Sequence, residues 1–403
     1  MPHHRRDALR LDIVAEDVIR QLHLRFNQNL ERIRHRWSSA EVLDYRQAGD
    51  GLIQLAASGR QFLWKVFRDP LASYEKLQER LRAWCPTWRT GAPVPVFQVI
   101  ADSAAYFPWE VLPLFDVYWK GSVQDAASLF DACRVFPAFS AVVERQSPTQ
   151  VVPDQTLDVS SGALPVRFIW HNEYKGAWRE LNFLKGRSDV RLEGPYPDEE
   201  GSASSSAPPL WDQLADPWLG VDGRRLEHPD QVLHLSCHAV AQDASGSTTF
   251  ELHLQGGDGK TLVVSHDDLD AELPISDHRA RTAHGRRPSR PMVLLNACET
   301  AIYDPKTLGS LLAPFDKNYN RAIIATAARL PDRLAARFSA HFYRALLSGA
   351  SVGESLYRAK WRLVEKEANP LGLLYILHGS SRLQAAPTTG PWTPVSGSSS
   401  PAH

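Results

Sequence analysis

Pro291-Met-Val-Leu-Leu-Asn-Ala-Cys298 is a run of apolar residues that ends on an asparagine, an alanine and a cysteine. It is too short for a core helix and is rich in branched side chains, so it reads as a strand buried on both faces. Sixty residues upstream, Val232-Leu-His-Leu-Ser-Cys-His238 has the same form and ends on a histidine. Downstream, Arg321-Ala-Ile-Ile-Ala-Thr326 is a third such strand. Helical spacings follow over Ala335–Leu347 and Ser351–Glu367, then a short strand over Leu373–Leu377. Strands of this kind alternating with helices predict an α/β fold with a mostly parallel central sheet and helices on both faces.

Upstream the same reading continues. Residues 12–35, 52–67 and 71–84 repeat apolar side chains at spacings of three and four and read as helices. Val94–Ala101 and Val166–Trp170 read as strands, residues 120–145 as helical, and Ala177–Leu184 as a short helix. Thr249–Leu254 and Thr261–Val264 flank Gly256-Gly-Asp-Gly259 and predict a hairpin. Gly256-Gly-Asp-Gly-Lys-Thr261 is no phosphate loop, because the required first glycine is Leu254. Residues 195–209 and the arginine-rich stretch 274–291 are expected to be surface loops, the latter exposed to nicking. Residues 385–403, dominated by Pro, Gly, Ser, Thr and Ala, read as a disordered tail.

The totals narrow the function. Of 403 residues, 43% are apolar and 23% charged, an ordinary globular balance, and the formal net charge is −1. No basic field calls for nucleic acid. No run nears the roughly 20 apolar residues of a membrane span, and residues 1–11 lack a signal peptide's apolar core. A cytoplasmic location with no membrane partner is expected. The cysteines are Cys85, Cys133, Cys237 and Cys298, with no CxxC pair, which argues against both zinc and disulfide frameworks.

The two strand ends carry the chemistry. Ligands of parallel sheets sit beyond the carboxyl ends of the strands. There, His238 and Cys298 would bring an imidazole beside a thiol, and a thiol needs such a base to become the reactive thiolate. Buried core residues would leave the same pattern. His234 reads as a hydrogen-bonded core histidine, Glu110 as a capping or internally paired residue, and His341 as structural.

Three segments then resemble the CHAT family of caspase-like, separase-related cysteine peptidases. They are Val232–His238, Val293-Leu-Leu-Asn-Ala-Cys-Glu-Thr-Ala301 and Phe107-Pro-Trp-Glu-Val-Leu112, supported by the helix Phe338–Leu346. The resemblance implies a caspase-like sandwich with a helical extension at 1–48. A protease domain would span 49–384, with a degenerate half (49–195) and a catalytic half (196–384). It implies a cysteine endopeptidase of a bacterial defence or stress pathway. Cys298 would be the nucleophile and His238 the base, with backbone N–H groups of Cys298 and Ala239 forming the oxyanion hole. Where the family has glycine after the histidine, this chain has Ala239. The separase-like side of the group implies cleavage after Arg or Lys, with Asp332, Asp304 and Asp316 as candidates for the acidic pocket residue. No metal or organic cofactor is implied. The partners are a protein or peptide substrate and a regulatory protein that supplies the sensor. The alternatives are a catalytically idle scaffold of the same fold and a Cys-dependent acyl transferase.

Overall fold

The computed structural model describes residues 16–385, apart from 41, 85–93, 101–107, 115–121, 147–154, 160, 201–207, 245–246, 257, 259, 285–289, 298–311 and 329. The expected tail therefore lies outside the described residues.

Three helices lead: α1 (Glu16–Trp37), α2 (Tyr45–Val66) and α3 (Pro70–Trp84). The apolar stripe of α1, Phe26, Leu30, Ile33 and Trp37, is buried. Gly51 of α2 lets the two helices close, because a Cβ there would stand 2.5 Å from the Trp37 indole nitrogen. The strands are β1 (Val96–Ile100), β2 (Val142–Gln146), β3 (Thr156–Leu157), β4 (Leu164–Trp170), β5 (Val190–Tyr196), β6 (Val232–Ala244), β7 (Ser247–Gln255), β8 (Thr261–Ser265), β9 (Met292–Ala297), β10 (Ala322–Thr326), β11 (Tyr375–Gly379) and β12 (Gln384–Ala385). Between them run α4 (Ala126–Cys133), α5 (Pro137–Ser140), α6 (Lys175–Lys185), α7 (Leu210–Ala215), α8 (His266–His284), α9 (Asp332–Leu347) and α10 (Val352–Glu367).

The main sheet has the order β1-β2-β11-β10-β9-β6-β4-β5. From β10 to β5 all neighbours are parallel. β11 is antiparallel to β10, and β2 and β1 run parallel to β11. Helices cover both faces, as expected. On β4, Phe168 meets His234 on the face covered by α6 and α9. Its neighbour Arg167 points the other way, where its guanidinium bonds Asp230, Gln213 of α7 and the Leu219 carbonyl. α8 packs beside α7. The predicted hairpin is present as β7 and β8.

Three expectations are corrected. Residues 120–145 are not one helix. α4 and α5 end at Ser140, and Val142 begins β2, buried between β1 and β11. A short strand with both neighbours in place has no alternation to betray it. The stretch 274–291 is not a loop as far as it is described. Residues 274–284 belong to α8, whose start is fixed by reciprocal Ser265–Asp268 hydrogen bonds. Leu269, Leu273 and Ala280 bury its apolar stripe, which the arginines hide in the sequence. Arg290 is buried as well, bonded to the Ala215 carbonyl and paired with Asp277. Finally, β6 does not stop at His238 but continues to Ala244, paired with β7.

Candidate active site

Among the described residues the last pair between β6 and β9 is Cys237↔Ala297. The next residue on β6 is His238, which pairs with His253 of β7. The residue that follows Ala297 in the sequence, Cys298, lies outside the described residues, as does Asp304. His238 is half-buried at the carboxyl edge of the parallel strands. Cys237, by contrast, is buried, and burial pushes its thiol well up, as it does for Cys133. Neither thiol is a ready nucleophile.

The turn after β4 forms a wall beside His238. The Tyr174 ring lies edge-on to the imidazole, with centroids 3.3 Å apart. On its other side Tyr174 meets the His171 ring at 4.7 Å. His171 Nε2 is 3.0 Å from the Thr261 hydroxyl on β8, and the Asn172 N–H donates to the Gln255 side chain on β7. Burial lowers the pKa of His171, while Glu173 pulls it the other way.

Beneath this edge lies a buried polar network. The Tyr375 hydroxyl donates to Asn296 Oδ1 at 2.7 Å, and Asn296 Nδ2 donates to Glu180 Oε1 at 2.6 Å and to the Ala335 carbonyl at 3.1 Å. Glu180 Oε2 lies 2.6 Å from His234 Nε2, and His234 Nδ1 lies 3.1 Å from the Tyr343 hydroxyl. One carboxylate on α6 thus ties β6 to β9 just below their last paired residues, and Asn296 links β9 to β11 and α9. His234 is the hydrogen-bonded core histidine that its strand pattern suggested. Glu180 and Asn296 were missed. The signal for Glu180 was there: a glutamate among Gly176, Ala177, Leu181 and Leu184, the buried stripe of α6, demands a partner. Glu180→Ala is expected to lower stability by about 3 kcal/mol, because it strands buried donors. Denaturant unfolding checks this, and a loss under about 0.5 kcal/mol would show the network to be idle.

The other candidates separate. Asp332 is the first residue of α9, and its N-cap residue is Pro331, without a side-chain cap bond. Asp332 therefore does not cap the helix; it sits in the first turn, where the helix dipole favours an anion. Among the described residues its half-buried carboxylate makes no hydrogen bond or ion pair. It packs on Gly176, where a Cβ would stand 2.7 Å from the Asp332 Cβ. Tyr174, two residues before Gly176, touches His238. Two residues of chain span at most about 7 Å, so Asp332 shares the carboxyl edge with His238. Asp316 does not. It precedes β10, close to Asn320, whose side chain donates to the Pro291 carbonyl before β9. That is the amino edge of the sheet. Ala239 is fully buried and opposed by Leu252. Glu110 forms a buried ion pair with Arg145, as internal pairing required. His341 is half-buried on α9, and burial first, then the cations of α9 and α10, lowers it to about 4. Among the described residues no His, Cys, Asp or Glu cluster could hold a metal ion. No described helix is long and apolar enough to cross a membrane.

Residues 223–389 match the family model of the CHAT domain. This part of the chain is similar to CHAT domains. It contains β6 to β12, and with them His238, Cys298 and Asp332. A probable protease of Vitiosangium sp. (strain GDMCC 1.1324) is 28% identical over 171 residues, which cover 38% of this chain and 22% of that protein. The match thus spans less than a quarter of the relative's own length. A Saccharomyces cerevisiae separase–securin complex holds a chain that is 9% identical with a TM-score of 0.36. The likeness covers 91% of this chain and 28% of that one.

Proposed function

We propose that the chain is a caspase-like cysteine endopeptidase with a Cys298–His238 dyad. The carrying observation is the register of β6 and β9. Their last described pair is Cys237↔Ala297, and His238 and Cys298 are the residues that follow it in the sequence. His238 would take the thiol proton. The thiolate would then attack the scissile carbonyl, and the imidazolium would return the proton to the departing amine. Water would hydrolyse the resulting thioester and free Cys298. The CHAT match and the protease name of the Vitiosangium relative support this reading. The buried, inert Cys237 and Cys133 support Cys298 over either of them. The site would prefer Arg or Lys before the scissile bond, with Asp332 as the acidic group, since it shares the edge with His238 and Asp316 does not. A role in bacterial defence, switched by another protein or by proteolysis, belongs to the same reading.

One observation favours a second reading, an idle scaffold that binds partners. Ala239, whose N–H would help hold the oxyanion, is fully buried within a strand pair. A thiol-reactive peptide ending in Arg separates the two. The enzyme should be labelled at Cys298, and labelling should disappear with His238→Ala. Absence of labelling in the wild type supports the scaffold.

A further inference from the structure

His238 is the residue that the proposed chemistry needs most accurately placed, and it sits just after the pairing of its strand with β4 ends and where that with β7 begins. The strand β6 pairs with β4 as far as Ser236 and, among the described residues, with β9 as far as Cys237. From His238 onward it pairs with β7. The imidazole therefore projects from a junction between two ladders, and its aim depends on what packs against it. What packs against it is Tyr174.

Tyr174 is the N-cap residue of α6 and is itself held from several directions. Its backbone N–H donates to the His171 carbonyl at 3.2 Å, and its own carbonyl accepts from the Trp178 N–H at 3.3 Å. The Trp178 indole N–H donates to the Asn172 carbonyl at 2.7 Å, closing the turn from within. The His171 N–H donates to the Ser236 carbonyl, two residues before His238 on β6. His171 and Asn172 are anchored on β8 and β7 through Thr261 and Gln255. The Tyr174 ring thus stands between the rings of His171 and His238, on a turn tied to β6, β7 and β8.

Resting on the dyad reading above, we infer that Tyr174 is a positioning residue for His238. Its ring limits imidazole rotation and holds the proton-accepting nitrogen toward the end of β9. Among the described residues, the titratable groups around this contact include His253, paired with His238 and beside Glu251, and His171, in ring contact with Tyr174 and acted on by Glu173.

The test is the pH profile of alkylation at Cys298 by iodoacetamide, read by peptide mass spectrometry on the full chain. The wild type should react quickly at neutral pH, and His238→Ala should shift that reactivity to alkaline pH. Tyr174→Ala should slow alkylation at pH 7 by about tenfold, the loss expected when a base no longer holds its thiol. The rates should converge near pH 10, where any accessible thiol ionises unaided. Tyr174→Phe keeps the ring and should restore most of the loss. Tyr174→Leu serves if the alanine variant fails to fold. A merely structural tyrosine would change unfolding while leaving the alkylation profile of the folded protein in place, and that result overturns the inference. Equal losses in Tyr174→Phe and Tyr174→Ala also overturn it, because the hydroxyl would then be the active part. Indifference of the wild-type profile to His238→Ala would overturn the dyad, and with it this role for Tyr174.

Discussion

Cys298→Ala is expected to remove peptide cleavage by a factor of about a thousand or more, and His238→Ala to do nearly the same. The two groups act as a unit, so the double variant should be scarcely worse than either single one. Without the imidazole the thiol stays mostly protonated at neutral pH, and without the thiol the imidazole has no nucleophile to serve. Neither change should unfold the protein. His238 is only half-buried, and its strand is held by backbone ladders on both sides of the junction. Turnover of a fluorogenic Arg peptide measures the effect, with denaturant unfolding as the control. Cleavage undiminished in either variant would remove the dyad.

Asp332→Asn is expected to weaken cleavage after Arg by roughly 2–5 kcal/mol in transition-state binding, that is by at least about 30-fold. A carboxylate at the base of a water-poor pocket pairs with a guanidinium through two hydrogen bonds, and an amide keeps only one acceptor. The structure sharpens the control. Because Pro331 holds the N-cap position and Asp332 the first turn, the stability loss should be limited to the dipole interaction, about 0.3–1 kcal/mol. Gly176→Ala offers an independent approach. The new methyl group would stand 2.6 Å from the Asp332 carbonyl oxygen and would push the start of α9 away from His238. Arg cleavage should fall in that variant while Asp332 itself is intact. Comparing peptides that end in Arg, Lys, Asp and Leu reads both changes. Preferential cleavage after Asp in the wild type would overturn the basic-residue preference, and an unchanged Arg preference in Asp332→Asn would remove that residue's role.

The strands that build the site were legible because local composition governs them. Val232–His238, Met292–Cys298 and Ala322–Thr326 are apolar runs too short for helices, and a strand buried on both faces must look that way whatever surrounds it. The hairpin at Gly256–Gly259 was legible because its turn requires particular residues. Helix α8 was not, since its apolar stripe becomes visible only with α7 in place and its arginines imitate a solvated loop. Strand β2 was not, because five residues acquire a strand's hydrogen bonds only from β1 and β11. His238 and Cys298 were found because each closes a readable apolar run. Tyr174 and Glu180 act on β6 from another segment, and nothing in their own neighbourhoods names the partner. Asp332 and Asp316 are alike as sequence, each an aspartate near a strand–helix junction. Only the direction of β10 separates them, putting Asp332 at the carboxyl edge beside Gly176 and Asp316 at the other. The sequence alone thus determined the apolar runs that build the site and the chemical groups that close them. Which of those groups share an edge, and what holds them there, was decided by tertiary packing, because the contacts join residues far apart in the chain and only the folded sheet brings them within reach.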